Sequence, residues 1–199
     1  MEMALYYPEY GYYNRPDEQI GQMGDFYTSS NLTPIFGAMI AKQLEEMWRL
    51  TGQGQFTIVE YGAGSGLLCR DILAYLENNL PFYGQLHYAI IEKSYSMRKR
   101  QEKHLAEKVG WYNSIQELGP VTGCILSNEL IDNFAVHQVV MEDDLMEVFV
   151  DVKDDFVEVV RPADQRLKDY LAEFDIRLPK GMRTEINLEA RDWLEGIAG

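Results

Sequence analysis

The sequence predicts an α/β fold with a doubly wound parallel sheet, followed by an antiparallel β-hairpin region. Three observations support this prediction. A β-branched strand at 57–60 leads into the glycine-rich turn Gly62–Gly66 and then a helix, and a second apolar strand ends in the acidic residue Glu92. Short apolar segments also alternate with helical patterns as far as Ser127. Such alternation is typical of a parallel sheet with helices on both faces.

The first fifty residues combine an aromatic segment with a helix. Five tyrosines lie between Tyr6 and Tyr13, and neither a helical nor a strand period fits them. We therefore expect a loop that packs over another part of the molecule and continues through Gly24–Ser30. Thr33 and Pro34 then begin a helix. The residues expected to face the core are Ile35, Phe36, Met39, Ile40, Met47 and Trp48.

Four strands with their intervening helices form the predicted parallel sheet. The helix after the first strand covers about 67–78, and a loop leads to the second strand, which ends at Ile91. A third strand contains Trp111 and Tyr112, and a buried fourth strand covers 123–127. A basic helix at about 95–108 should present a solvated face rather than a binding surface. The loop residues are Asn78, Asn79, Leu80, Pro81 and Gly84, and the basic face comprises Arg98, Lys99, Arg100, Lys103 and His104.

Beyond Val136 the pattern changes to antiparallel strands. Apolar segments at 139–141, 145–150 and 156–160 are predicted strands of a hairpin region. A helical stripe follows, made by Leu167, Tyr170, Leu171 and Phe174. A last helix is expected from about Asn187 to Ala198, with the inward residues Ala190, Trp193, Leu194 and Ile197.

Composition excludes several classes of function. The 199 residues include 32 acidic and 18 basic ones, and the net charge of −14 argues against a general nucleic-acid binder. The two cysteines have no metal-ligand neighbours and the three histidines are scattered, so we expect no metal site. Neither a signal peptide nor a membrane-spanning apolar run is present, which favours a cytoplasm or an equivalent reducing, soluble compartment.

The glycine spacing distinguishes between nucleoside cofactors. The glycines follow the pattern G-x-G-x-G, whereas the dinucleotide fingerprint is G-x-G-x-x-G. Glu60 at the strand end would oppose a pyrophosphate but could pair, directly or through water, with an ammonium group. Glu92 at the second strand end suits two ribose hydroxyls. S-adenosylmethionine, which carries an ammonium and no phosphate, is therefore favoured over NAD, and a tight turn without a ligand is the remaining alternative.

Polar residues follow the fourth strand, where an open α/β sheet places its ligands. Asn128, Glu129 and Asp132 lie there. If the methyl acceptor is a guanidinium, a carboxylate can hold it bidentately and leave one nitrogen aimed at the methyl group. The alternative is a helix N-cap with ordinary surface acids.

Several motifs together resemble the MidA-type family of class I S-adenosylmethionine-dependent methyltransferases, found in bacteria and as a mitochondrial complex I assembly factor. The resemblance extends from the aromatic segment to the final helix. The motifs that carry it are 7–13 (YPEYGYY), 24–29 (GDFYTS), 60–66 (EYGAGSG), 127–132 (SNELID) and 181–187 (GMRTEIN). The chain differs from the family pattern at Ser65, where arginine is usual, and in the segment that follows Glu129.

The resemblance implies a Rossmann-like methyltransferase fold with S-adenosyl-L-methionine as cofactor, and a protein arginine methyltransferase activity. The implied partner is a protein with an arginine acceptor, such as a respiratory complex I subunit or its bacterial counterpart, in the bacterial cytoplasm or the mitochondrial matrix. Asn128, Glu129 and Asp132 would face the acceptor. The implied cofactor-binding residues are Asp25, Thr28, Glu60, Gly62, Ala63, Gly64, Gly66 and Glu92, with Asp25 and Thr28 on a loop that closes over the cofactor.

We divide the chain accordingly into three parts. Residues 1–50 form the aromatic loop and helix that cover the cofactor site, 51–138 the Rossmann-like core, and 139–199 the hairpin and helical region on the acceptor side. Members of the family continue with further sheet strands, so we expect an incomplete sheet, a cofactor pocket in outline, and weak or absent methyl transfer. A non-catalytic assembly module that keeps the methyltransferase fold is the alternative to an enzyme.

Overall fold

The structure is a computed structural model that describes residues 1–15, 25, 33–105 and 107–198. The chain forms two compact units. The first comprises residues 2–132, and the second comprises residues 133–199 together with Met1. Each unit has a sheet of its own.

A four-stranded parallel sheet is the centre of the first unit. Its strand order is β3-β2-β1-β4, so the chain moves outward from β1 to β3 and then returns to the other side of β1. Tyr61 is level with Ile91 and Ser127, and Ile91 is level with Tyr112, so the four strands end at one edge of the sheet. The strands are β1 (Phe56–Tyr61), β2 (Leu86–Ile91), β3 (Val109–Tyr112) and β4 (Gly123–Ser127).

Helices flank this sheet and supply most of its core. Apolar residues at helical spacing explain their packing: Trp48 stacks on Phe82 at 4.8 Å between ring centroids, and Leu76 and Ile72 are fully buried. The helices are α1 (Glu2–Tyr6), α2 (Ile35–Leu50), α3 (Leu67–Leu76), α4 (Leu80–Gln85) and α5 (Tyr95–Gln101). The prediction of a doubly wound parallel sheet is confirmed in this unit.

Two predicted loops are partly helical. The segment predicted as a loop before β2 contains α4, because Asn79 accepts a hydrogen bond from the Phe82 amide and Pro81 occupies the first turn. Asparagine and proline are starting signals for a helix as well as loop signals. The aromatic N-terminal segment likewise begins with α1 and contains a 3-10 turn at Tyr12–Asn14, so its interpretation as loop throughout is wrong.

Two predicted helix features also differ from the structure. The predicted core face of α2 is confirmed only in part: Trp48 is buried and Phe36, Ile40 and Met47 pack against the core, whereas Ile35 and Met39 are 64% and 66% exposed. The buried positions of this helix are Gly37, Ala41, Leu44, Glu45 and Trp48. Small residues there allow close packing against α3, which apolarity alone does not reveal. Helix α5 ends at Gln101 rather than near 108, because the Lys103 and His104 amides bond to carbonyls three residues back, in a tighter turn than that of an α-helix.

The second unit contains an antiparallel sheet of order β7-β6-β5-β8. Its core is formed by Val139, Leu145, Leu167 and Ile186. Strand β8 was not predicted, because its four residues include two charged ones and carry little strand signal. On the last helix, Leu194 was predicted to face inward but is 56% exposed. The elements are β5 (His137–Met141), β6 (Leu145–Val152), β7 (Phe156–Pro162), α6 (Gln165–Glu173), β8 (Arg183–Ile186) and α7 (Leu188–Ala198).

Two features are absent from the described ranges. No helix there has both the length and the apolar character needed to cross a membrane. Nor do three or more histidine, cysteine or acidic side chains in those ranges come together as metal ligands.

Candidate functional site

The carboxyl ends of β1, β2 and β4 form the edge where the predicted site residues begin. Gly62, Glu92 and Asn128 each follow directly after one of these strands, whose last residues are level. The order of the sheet reverses between β1 and β4. Ligands of open α/β sheets bind at such a reversal, outside the carboxyl ends of the strands.

The glycine turn has a conformation that requires glycine. Gly62, Gly64 and Gly66 have φ angles of 65°, 55° and 78°, in the left-handed region that other residues rarely adopt. The Gly62 amide donates to the Ile91 carbonyl at 3.0 Å, so the turn stays attached to the end of β2. Helix α3 begins directly after Gly66, which places a helix N-terminus beside the turn. The Ala63 carbonyl accepts from the Gly66 amide and closes the turn.

Glu92 is held by donors from three parts of the chain. Its Oε1 accepts from the Ser94 amide at 2.9 Å, and its Oε2 accepts from Gln101 Nε2 at 3.2 Å. Burial raises the pKa of the Glu92 carboxyl, while these two bonds and the backbone amides of Gly64 and Lys93 oppose that rise. The carboxyl is therefore fixed beside the glycine turn, where two ribose hydroxyls could reach it.

Glu60 lies in an enclosed cluster rather than on the surface of the strand end. Its residue exposure is 2%, and the buried Tyr88 hydroxyl donates to its Oε2 at 2.7 Å. Burial, assisted by the charge of Glu92 and opposed by the Tyr88 bond, raises the pKa of Glu60 to about 7. Burial also raises the pKa of the neighbouring Cys69 thiol. Pairing of Glu60 with a cofactor ammonium stays a prediction, and in this geometry the carboxyl faces the core.

The segment after β4 contacts the glycine turn. An added Cβ at Gly62 would lie 2.8 Å from Leu130 Cδ1, so the two segments are packed closely. Glu129 has a φ angle of 52° in this segment. The other described non-glycine residues with positive φ, Gln53 and Asp175, follow the ends of α2 and α6, where left-handed backbone is usual. Glu129 follows a strand, and backbone strain at such a position is typical of functional sites.

Tyr13 lies in the N-terminal segment that packs beside Glu92. Burial raises the pKa of its phenol, and the charges of Asp132 and Glu92 raise this pKa further. The Ser94 hydroxyl donates to the Tyr13 carbonyl at 2.8 Å, which attaches the N-terminal segment beside Glu92. The segment predicted to pack over another part of the molecule therefore packs at the start of α5.

The predicted closing loop is only partly within the described residues. Asp25 accepts a hydrogen bond from the Tyr12 hydroxyl at 2.8 Å, and burial together with this carboxylate raises the pKa of Tyr12 to about 12. Tyr12 is edge-on to Tyr13 at 5.1 Å. Thr28 lies outside the described residues.

Three further residues at this edge were not predicted: Ser94, Gln101 and Tyr13. The signal for Gln101 was its spacing: it follows the inward-facing Met97 by one turn of α5. A polar residue in an inward row usually has buried partners. The basic residues that follow one another in this segment, His104 among them, were predicted to form a solvated face. His104 also reaches the site, because its Nε2 lies 2.9 Å from the Ser65 carbonyl.

Proteins of known sequence are similar to this chain. The "Protein arginine methyltransferase NDUFAF7 homolog, mitochondrial" of Drosophila melanogaster is 28% identical over 177 residues, covering 76% of this chain and 40% of that protein. The mouse protein arginine methyltransferase NDUFAF7 is 27% identical over 179 residues, covering 76% of this chain and 41% of its own length. The chain thus spans less than half of these relatives.

A crystal structure also matches nearly the whole chain. The protein comes from Burkholderia thailandensis and is bound to S-adenosyl-homocysteine. It superposes with a TM-score of 0.80 at 28% identity, over 98% of this chain and 52% of its own. Residues 39–199 match the family described as "Putative S-adenosyl-L-methionine-dependent methyltransferase". The level strand ends, the glycine turn and these matches agree, and the chain belongs to this family of S-adenosylmethionine-dependent methyltransferases.

Proposed function

We propose that this chain binds S-adenosylmethionine at the ends of β1 and β2 and presents an arginine side chain of a protein to its methyl group. The observation that carries the proposal is the fixed pair formed by the left-handed glycine turn and the Glu92 carboxyl. The relatives named protein arginine methyltransferases support the choice of acceptor.

The residues at this edge fit the adenosyl part of the cofactor. Alternate glycines leave the backbone uncovered by side chains, so a ligand can approach it closely. A carboxylate fixed by neutral donors can accept hydrogen bonds from two ribose hydroxyls. The turn lies next to a carboxylate and has no basic side chain among Gly62–Gly66, which suits a ligand without a phosphate better than a dinucleotide.

The segment after β4 supplies the groups for the acceptor. The cofactor supplies an electrophilic methyl group, and the protein mainly has to orient the attacking nitrogen. Glu129 and Asp132 offer carboxylates for a guanidinium, which stays charged at neutral pH and binds carboxylates in a planar, bidentate manner. Asn128 can accept or donate a hydrogen bond beside them. The strained backbone at Glu129 fits a side chain that has to point in one direction.

The acceptor protein and the compartment follow from the resemblance and the relatives. We propose a respiratory complex I subunit, or its bacterial counterpart, as the protein that carries the arginine. The corresponding compartment is the mitochondrial matrix or a bacterial cytoplasm. Mitochondrial relatives support the first of these compartments.

Calorimetry with S-adenosylhomocysteine tests the cofactor site. Glu92→Ala removes the carboxylate expected to accept two hydroxyls, so we expect its Kd to rise roughly 10- to 100-fold. Glu107→Ala, an exposed glutamate after α5, is the matched control and should bind like wild type. Equal binding by Glu92→Ala, or a preference of the wild-type chain for NAD, would contradict the proposed cofactor site.

Transfer is tested with methyl-labelled cofactor, a basic protein acceptor and mass analysis of the product, and each variant is compared with the unsubstituted protein in a longer version of the chain, where transfer is expected to be measurable. Glu129→Gln keeps the shape but loses the charge, and we expect at least a roughly 100-fold loss of transfer with unchanged cofactor Kd. Glu129→Gly should also lose transfer while relieving backbone strain of about 1–2 kcal/mol. Label on lysine would refute the arginine acceptor. Cofactor binding without transfer, also in a longer version of the protein, would favour an assembly module.

A further inference from the structure

Gln101 at the end of α5 is fully buried and lies under the proposed cofactor site. Its Nε2 donates to the Gly64 carbonyl at 2.9 Å and to Glu92 Oε2 at 3.2 Å. Its Oε1 accepts from the indole nitrogen of Trp111 on β3 at 2.9 Å. One side chain thus contacts the glycine turn, the acid after β2 and the neighbouring strand.

The chemistry of these partners allows only one orientation of the amide. Trp111 can only donate at its indole nitrogen, so the amide oxygen has to face it. The Gly64 carbonyl can only accept, so the amide nitrogen has to face it, and Glu92 Oε2 accepts from the same nitrogen. Both protons of this nitrogen are then used. A flipped amide would lose all three bonds in a buried place, which is costly.

We infer that Gln101 is a positioning residue that sets the spacing between the glycine turn and the Glu92 carboxyl, and thereby the affinity for the adenosyl ligand. This inference rests on the proposed cofactor site. Packing alone does not require an amide here, since the other inward residue of α5 is Met97. An apolar residue at 101 would fill the space and leave Gly64, Glu92 and Trp111 without their partner.

The turn that follows α5 holds the same loop at a second point. His104 lies 2.9 Å from the Ser65 carbonyl, and because a carbonyl only accepts, its Nε2 has to carry the proton. An added Cβ at Gly66 would lie 3.1 Å from Leu105 Cδ1 and 3.3 Å from Gln101 Cγ. Consecutive carbonyls of the glycine turn are therefore held by consecutive turns of this segment, with Gln101 buried and His104 exposed.

The test is the affinity of the 199-residue chain for S-adenosylhomocysteine, measured by calorimetry together with the unfolding temperature. We expect Gln101→Leu to raise the Kd about tenfold. Gln43→Leu, the same change at an exposed position of α2, is the matched control and should leave the Kd unchanged. Trp111→Phe frees only the amide oxygen, and we expect a rise of about threefold. This variant also tests the inference if Gln101→Leu does not fold.

A double-mutant cycle separates positioning from general destabilisation. If Gln101 acts through Glu92, its substitution should matter much less once Glu92 is gone. We therefore expect Gln101→Leu to raise the Kd about twofold or less in a Glu92→Ala background, compared with about tenfold in the wild-type background. A lower unfolding temperature with the wild-type Kd, or fully additive effects in the cycle, would overturn the inference. Failure of the wild-type chain to bind S-adenosylhomocysteine would instead overturn the proposed cofactor site, so the two failures are distinct.

Discussion

At the scale of single residues, the buried acid Glu60 gives the protein a specific dependence on pH. Burial raises its pKa from 4.5 to about 7 in the folded state. Between these values the folded state keeps a proton that the unfolded state has already lost. Stability therefore decreases as the pH rises through this window and stays constant above it, with a total loss of about 3 kcal/mol.

Glu60→Gln should remove this dependence. We expect the free energy of unfolding of wild type, relative to Glu60→Gln, to decrease by about 2 kcal/mol between pH 5.5 and pH 8. Urea unfolding of both proteins at the two pH values measures the difference, which cancels the titration of all other groups. If the unfolding free energy of wild type relative to Glu60→Gln stays constant or increases between pH 5.5 and pH 8, then Glu60 is ionised over this whole range.

Individual residues were predictable where their neighbours in sequence define them. The glycines and Glu92 were predicted from the chain because a strand end, a turn and an acid are local patterns. Gln101 was not predicted, since its role depends on Gly64 and Trp111, which are 37 and 10 residues away. The spacing of Gln101 after Met97 indicates burial, but the local sequence does not show which residues are its partners.

At the scale of elements, three strands of the parallel sheet were predicted to within one residue at each end, because apolar runs bounded by turns are a strong signal, whereas β3 begins two residues before the predicted Trp111. Helix α4 was missed because Asn79 and Pro81 favour a loop as well as a helix start, and its burial depends on Phe82 packing against Trp48. On α2, Ile35 and Met39 were wrongly placed in the core, whereas Gly37 admits the close approach of Asp71. Neither contact could be read from local composition.

The glycine turn allows a matched pair of substitutions. Gly66→Ala places a side chain at a φ of 78° and 3.1 Å from Leu105, and we expect a destabilisation of about 1–2 kcal/mol with weaker cofactor binding. Gly84→Ala on α4 has open space and should stabilise by about 0.5–1 kcal/mol. Thermal unfolding and calorimetry report both effects. Equal stability changes in the two variants would be inconsistent with a turn that requires glycine.

At the scale of the whole molecule, the proposed cofactor residues all belong to the first of the two compact units. Each unit has its own sheet and its own apolar core. The sequence predicted the change from a parallel to an antiparallel sheet, because alternating helices stop near Val136. The short strand β8 was not predictable, since it gains its place by pairing with β5.

Two leucines test the independence of these cores. Leu76 on α3 and Leu167 on α6 are both fully buried, so each change to alanine should cost about 2–5 kcal/mol in its own unit. We expect Leu167→Ala to raise amide hydrogen exchange in residues 133–198 and to leave the Kd for S-adenosylhomocysteine within about twofold of wild type. Leu76→Ala should raise exchange in β1 and β2. A single transition that both variants shift equally would contradict two separate units.

The Ser94 hydroxyl connects the N-terminal segment to the affinity proposed for the adenosyl ligand. Its oxygen accepts from the Met97 amide at the start of α5, while its proton goes to the Tyr13 carbonyl or to Asn14 Oδ1. The Ser94 hydroxyl therefore links the aromatic N-terminal segment to the helix that ends in Gln101. Trimming the first fifteen residues, or fusing a bulky tag to them, would destabilise the start of that helix, and adenosyl affinity would fall although Gly62, Gly64, Gly66 and Glu92 had all been kept.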